Sequence, residues 1–228
     1  MSIALLVTGA PPDQLISRFG RYPDMFARLL GPGFIDDIYE VGRNAYPAGP
    51  DAHDAYLITG SAVGVYDDLP WIERLKQFLV SAKGKTKLVG ICFGHQVMAE
   101  AFGGRVVKSH KGWAIGLQDY AMIGQPSWSD GTQHITVPAS HQDQVIELPP
   151  RSRVVTSNSF CEIAGLEYLD QRAISFQFHP EFEPAYMAAL IGAKPERSKN
   201  PAAAIAALER PNDRQRVAQW IRDFLNTP

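Results

Sequence analysis

The sequence predicts an α/β protein: a three-layer arrangement in which a mixed, mostly parallel sheet carries helices on both faces and a small antiparallel meander. Three observations point there. Short apolar runs at residues 3–7, 55–59 and 87–91 alternate with longer segments of helical period, the pattern of parallel strands joined by helical crossovers. Between residues 106 and 155 the pattern changes to alternating residues broken by Gln125-Pro126-Ser127 and Ser129-Asp130-Gly131, which suits antiparallel strands. With 228 residues, 45% of them hydrophobic, the chain can bury one sizeable core, and a single domain over residues 1–228 is expected.

The elements follow in order. A strand at 3–7 leads to a helix over about 12–30, which Gly31-Pro32-Gly33 separates from a strand at 34–41. A third strand, 55–59, runs into Gly60-Ser61, after which Asp67 or Asp68 can cap a helix with Pro70 in its first turn and Leu69, Ile72, Leu75, Phe78 and Leu79 as its buried stripe. The strand at 87–91 meets a turn at Cys92-Phe93-Gly94 and then a helix over 95–102 that ends at Gly103-Gly104. After the meander, strands near 162–166 and 173–178 return to the sheet, and helices near 185–191 and 214–225 close the chain. Residues 194–204, polar and then alanine-rich, read as a surface loop leading into a short helix.

Composition excludes several classes of partner. The formal net charge is -2, with no basic block long enough to follow a phosphate backbone, so nucleic acid is not expected. The apolar stretch 2–10 lacks a basic leader and is too short for a membrane span, which leaves a buried first strand and no membrane partner. Two cysteines in a chain with a full core suit a reduced, cytoplasmic setting better than a disulfide. Neither a metal nor an organic cofactor is expected.

The chemistry centres on Cys92. A thiol attacks well only as thiolate, and the start of a helix favours the anion through free N–H groups and the helix dipole. Gly94 permits a tight turn, and the N–H of Phe93 can point at a developing oxyanion. The sharp strand-to-helix turn follows the logic of a nucleophile elbow.

A base must take the thiol proton and return it to the leaving amine. Of six histidines, His95 shares the helix of Cys92 with poor geometry, His53 and His134 lie in ordinary loop or strand contexts, and His110 and His141 lie in polar turns. His179 differs, because the buried run Phe176-Gln177-Phe178 delivers it to the carboxyl edge of the sheet, where α/β proteins bind ligands. Pro180 ends that strand, and Glu181 can turn back to accept from the imidazole, fixing its tautomer. Cys92, His179 and Glu181 thus form a triad by role.

With these residues in place, the sequence resembles the class I, triad-type glutamine amidotransferases, including the amidotransferase domain of GMP synthase and the γ-glutamyl peptidases. Gly90-Ile91-Cys92-Phe93-Gly94-His95-Gln96 is similar to the family's nucleophile motif, and Phe176-Gln177-Phe178-His179-Pro180-Glu181 to its histidine and glutamate motif. Ile58-Thr59-Gly60-Ser61 falls where the family carries its glycine-rich oxyanion loop, and Ala139-Ser140-His141-Gln142-Asp143-Gln144-Val145 resembles the loop that closes over the glutamine carboxylate and amine. The resemblance implies a flavodoxin-like fold and attack by Cys92 on the glutamine Cδ carbonyl. A γ-glutamyl thioester forms, ammonia leaves, and hydrolysis gives glutamate with His179 assisting. It further implies oxyanion donors at Phe93, Gly60 and Ser61, and a substrate pocket that includes Gln96, Ser140, His141, Gln142 and Asp143.

One departure bears on the substrate. The family loop often reads Gly-Gly-Pro, whereas this chain has Gly60-Ser61-Ala62, followed by Asp67-Asp68-Leu69-Pro70-Trp71. This form, with Lys111-Gly112-Trp113-Ala114-Ile115-Gly116, resembles stand-alone members related to the γ-glutamyl peptidases, while the latter stretch reads equally well as the entry to a β-hairpin with a buried Trp. The segment after Glu181 lacks a nucleotide-binding glycine pattern and reads as closing helices, leaving no room for an ammonia-using domain. Three readings therefore stand: a glutaminase that serves a separate synthase subunit, a free-standing γ-glutamyl peptide hydrolase, and a non-catalytic regulatory or binding module.

Overall fold

Strand alternation sets the layers. The computed structural model describes residues 1–227, and its first strand, β1 (Ile3–Leu6), sends Ile3 and Leu5 into one hydrophobic cluster and Ala4 and Leu6 into another. β3 (Ala55–Ile58) and β4 (Lys87–Ile91) divide in the same way: Leu57, Val89 and Ile91 face one side, Tyr56, Ile58 and Leu88 the other. Strands buried on both faces need helices on both faces. The first face is covered by α2 (Tyr22–Leu30) and α7 (Arg214–Asn226), through Phe26, Leu29, Trp220 and Ile221. The second is covered by α3 (Pro70–Ala82) and α4 (Phe93–Ala101), through Ile72, Leu75, Val97 and Met98. A third cluster joins α1 (Asp13–Phe19) and α5 (Pro184–Ala193) through Phe19, Tyr186 and Met187.

Nine strands form one mixed sheet. Its parallel part comprises β2 (Asp37–Tyr39), β1, β3, β4 and β11 (Ala173–Phe176) in that spatial order. Beyond β11 it continues antiparallel through β10 (Gly165–Tyr168), β9 (Ser152–Ser157), β6 (Ala114–Met122) and β7 (His134–His141). The expected meander is thus mostly an extension of the main sheet. Only β5 (Arg105–Lys108) and β8 (Asp143–Glu147) stand apart as an antiparallel pair.

Several boundaries differ from expectation. The single helix over 12–30 is two helices, because Gly20 takes a left-handed conformation at φ 78° and the Arg21 N–H bonds the Asp24 carboxylate at 2.7 Å, opening a new helix with Pro23 in its first turn. The expected strand at 34–41 shrinks to three residues, since Val41 turns into a 3₁₀ segment. Asp67 and Asp68 do not cap α3. Leu69 is its N-cap, and Asp67 instead accepts from the Gly64 N–H at 3.0 Å, tightening the loop ahead of the helix. Among the described residues no helix is long and apolar enough to cross a membrane.

The register places the chemistry. In the sheet Ile58 pairs with Gly90, and Phe176 pairs with Ile91. The three adjacent parallel strands β3, β4 and β11 therefore end together, releasing Gly60, Cys92 and His179 at one carboxyl edge.

Candidate active site

Cys92 is the N-cap of α4 and holds φ 53°, ψ −102°, a backbone state that a non-glycine residue adopts only when its surroundings force it. Its N–H donates to the Phe176 carbonyl at 2.8 Å and its carbonyl accepts from Gln96 N–H at 3.0 Å, so strand and helix clamp it from both sides. The flanking glycines are steric requirements. A Cβ on Gly90 would lie 2.6 Å from the Gly94 carbonyl, and one on Gly94 would lie 2.4 Å from the Ile58 oxygen. Gly90-x-Cys92-x-Gly94 therefore has the spacing of a nucleophile elbow with cysteine in the serine position. Phe93 begins α4, so its N–H is one of the donors that lack an intrahelical acceptor.

His179 follows β11, with its N–H donating to the Pro138 carbonyl at 2.8 Å and its Nδ1 paired with Glu181 Oε1 at 2.7 Å. The ring stacks flat on Phe182, at 3.9 Å between centroids and 4° between planes. Burial opposes a charge on this imidazole, but Cys92 and Glu181 beside it outweigh that and raise its pKa to about 10. Arg214, itself buried, donates to the Pro180 carbonyl at 2.7 Å and to the Glu181 carbonyl at 3.5 Å, holding the turn that carries the carboxylate.

Gly60 fits between these groups. A Cβ there would stand 2.9 Å from His179 Cε1 and 3.6 Å from Cys92 Cβ. The loop is fixed from behind: Thr8 Oγ1 donates to the Gly60 carbonyl at 2.9 Å, and Ser61 Oγ donates to the Thr8 carbonyl at 2.9 Å.

The remaining predicted residues gather around a cavity of about 320 Å³ lined by Ser61, Cys92, Gln96, Ser140, His141, Gln142 and Asp143. A larger cleft of about 950 Å³ lies at the opposite, amino edge of the sheet near Met1, Asp54 and Arg172, and no cysteine lines it. His141 is not in a solvated turn but buried at the end of β7. Its Nδ1 donates to the Asp143 carbonyl at 3.1 Å, its Nε2 has no partner among the described residues, and burial lowers its pKa to about 4. His95 packs under the elbow, bonded to Ser175 Oγ at 2.8 Å and the Ile163 carbonyl at 3.1 Å, and burial lowers its pKa to about 3. The second cysteine, Cys161, is free and buried in a loop, its thiol pushed up to about 12 mainly by burial.

Sequence reasoning missed several participants. Gln177 has its Nε2 3.7 Å from Cys92 Sγ, and the available signal was a polar residue between two phenylalanines in a buried apolar run. Arg214 gives no local signal, since only the fold brings it under Pro180. Trp113 and Arg197 line the cavity from distant segments, with the guanidinium 4.0 Å over the indole ring.

Comparison with known proteins identifies the family. The family model for class-I glutamine amidotransferase matches residues 53–191. A glutamine amidotransferase-like protein of Schizosaccharomyces pombe is 29% identical over 98% of this chain and 98% of its own length. γ-Glutamyl peptidase 4 of Arabidopsis thaliana is also 29% identical, over 78% of this chain and 75% of its own. A glutamine amidotransferase structure from Thermotoga maritima superposes with a TM-score of 0.77 at 18% identity, covering 99% of both chains. The chain belongs to the class-I glutamine amidotransferase family.

Proposed function

We propose that the protein hydrolyses the side-chain amide of glutamine through a γ-glutamyl thioester on Cys92. The Cys92 sulfur attacks Cδ, and the oxygen, now negative, is received by the N–H groups of Phe93 and the Gly60-Ser61 turn. As the C–N bond breaks, imidazolium His179 gives its proton to the departing nitrogen. Water then attacks the thioester, His179 takes its proton, and the carbon–sulfur bond breaks to release glutamate. Glu181 accepts from Nδ1 and holds the imidazole in place throughout. One observation carries this reading: His179, anchored to Glu181 at 2.7 Å, shares with Cys92 the space that Gly60 leaves open.

Gln96 has only an acceptor to offer substrate, because its Nε2 already donates to the Asp143 carbonyl at 3.0 Å and to Gln177 Oε1 at 3.1 Å. Its Oε1 suits an N–H of the substrate. The cavity also carries two cationic residues, Lys108 and Arg197, and two acidic ones, Asp67 and Asp143, a balance that suits the zwitterionic head of an amino acid. In this amidotransferase role a separate synthase subunit receives the ammonia, and the unpaired cysteines suit a reducing, cytoplasmic setting.

A second reading, hydrolysis of γ-glutamyl peptides, has its own observation. Trp113 and Arg197 line both the Cys92 cavity and a neighbouring one of about 550 Å³, so a leaving group larger than ammonia has somewhere to go. Purified protein offered glutamine and a γ-glutamyl dipeptide, beside Cys92→Ala, tests both. Turnover that survives Cys92→Ala, or none on any substrate, refutes the catalytic reading. Turnover of the peptide alone selects the second.

A further inference from the structure

Gln177 is fully buried in the segment that continues β11, and its neighbours Phe176 and Phe178 turn into the opposite core, their rings 5.1 Å apart. A carboxamide in such a place must have partners for its oxygen and its nitrogen. The orientation of both amides follows from a single fixed point. The main-chain carbonyl of Asp143 can only accept, so the group that Gln96 presents to it at 3.0 Å must be its NH₂. That same nitrogen lies 3.1 Å from the Gln177 side chain, which must answer with its oxygen. Gln177 is then left with its NH₂ toward Cys92 Sγ, at 3.7 Å, within reach for a donor to sulfur.

We propose that Gln177 is a catalytic residue whose N–H stabilises the Cys92 thiolate, and that Gln96 is a positioning residue that keeps this N–H on the sulfur. The inference rests on Cys92 being the nucleophile and goes beyond the triad, because it gives the thiolate a neutral partner that does not change charge when His179 passes its proton on. It also ties the nucleophile to the pocket loop, since the carbonyl that orients Gln96 belongs to Asp143. The same carbonyl accepts from His141 Nδ1 at 3.1 Å. Movement of this loop would therefore reach the sulfur through two amides.

The titratable and charged groups around Cys92 include His179 beyond β11, Tyr22 on α2, Tyr120 on β6 and Cys161 in the 158–164 loop, and, around the cavity it lines, Asp67, Lys108, His141, Asp143 and Arg197. All are left in place by the variants that test the proposal, Gln177→Met and Gln96→Met, which keep side-chain length and remove the donors. The readout is the pH at which half of Cys92 reacts with iodoacetamide, a measurement that needs no turnover and so stands or falls apart from the substrate assignment. Gln177→Met should move this midpoint up by about one unit, making alkylation at neutral pH about ten-fold slower. Gln96→Met should move it up by less, and the double variant should match Gln177→Met alone, because Gln96 reaches the sulfur only through Gln177. A merely structural role would lower the melting temperature and leave the midpoint where it was. A folded Gln177→Met protein with the wild-type midpoint overturns the proposal, as do two shifts that add. Should Gln177→Met fail to fold, an unmoved midpoint in Gln96→Met overturns it alone.

Discussion

Replacing Gly60 by alanine probes the geometry with a single methyl group. Gly60 does not have a positive φ, so the substitution adds no left-handed strain and its effect is steric. The new Cβ would stand 2.9 Å from His179 Cε1, about 0.5 Å inside ordinary carbon contact. The imidazole cannot retreat, because Phe182 stacks on it at 3.9 Å and Glu181 holds Nδ1 at 2.7 Å. Nor can the loop move back freely, since Thr8 and Ser61 tie it at 2.9 Å. A displacement of half an ångström at the reacting groups should lower kcat/KM for amide hydrolysis about 10- to 100-fold, and overpacking should cost about 1–3 kcal/mol of stability. The assay is ammonia release together with a denaturant titration. Gly192→Ala serves as the control: nothing lies within 4 Å of its Cβ position in α5, so that variant should gain about 0.5–1 kcal/mol and keep its activity. A Gly60→Ala enzyme within three-fold (roughly 0.6 kcal/mol) of wild type would refute the claim that Gly60 sets the spacing of Cys92 and His179.

Three further outcomes are expected. A glutamine-like electrophile near neutral pH should label Cys92 and spare Cys161, whose buried thiol is pushed up to about 12; equal labelling by mass spectrometry would remove the distinction. The His179 pKa is raised from 6.5 to about 10 in the folded state by Cys92 and Glu181 against the opposing effect of burial. The folded state therefore binds the extra proton, so this stabilisation is full below about pH 6.5 and is lost as pH rises through about 10. Denaturant titrations at pH 6, 8 and 10 should show that loss in wild type and not in His179→Gln. Arg197→Gln should weaken hydrolysis of a γ-glutamyl dipeptide more than that of glutamine, measured as the ratio of kcat/KM values, since Arg197 stands between the two cavities; an unchanged ratio would place the leaving group elsewhere.

Local signals were legible wherever the chain must do something costly at one point. Gly90, Cys92 and Gly94 lie within five residues, and the steric demands of a strand-to-helix reversal fall on those positions alone. Pro180 and the alternation of Phe176, Gln177 and Phe178 similarly announced a buried strand leading to His179, although the strand itself ends at Phe176, short of the expected 178. The break at Gly20 was less visible, because its apolar residues continue a helical period across the interruption. Capping by Asp67 failed for a related reason: a loop carboxylate bonds whichever N–H its loop brings near, and that was Gly64 rather than the start of α3.

By itself the sequence determined the α/β class, the elbow at Cys92, the pairing of His179 with Glu181 two residues on, and the loop at Gly60, because each depends on backbone geometry or neighbours only a few residues away. Tertiary structure alone decided the rest. It made the expected meander an extension of the main sheet and buried His141, and it brought Arg214 under Pro180 and set Arg197 over Trp113. These contacts join segments dozens of residues apart, and what fixes them is strand register and helix packing across whole layers. The side chains involved show nothing of that in their own stretch of sequence.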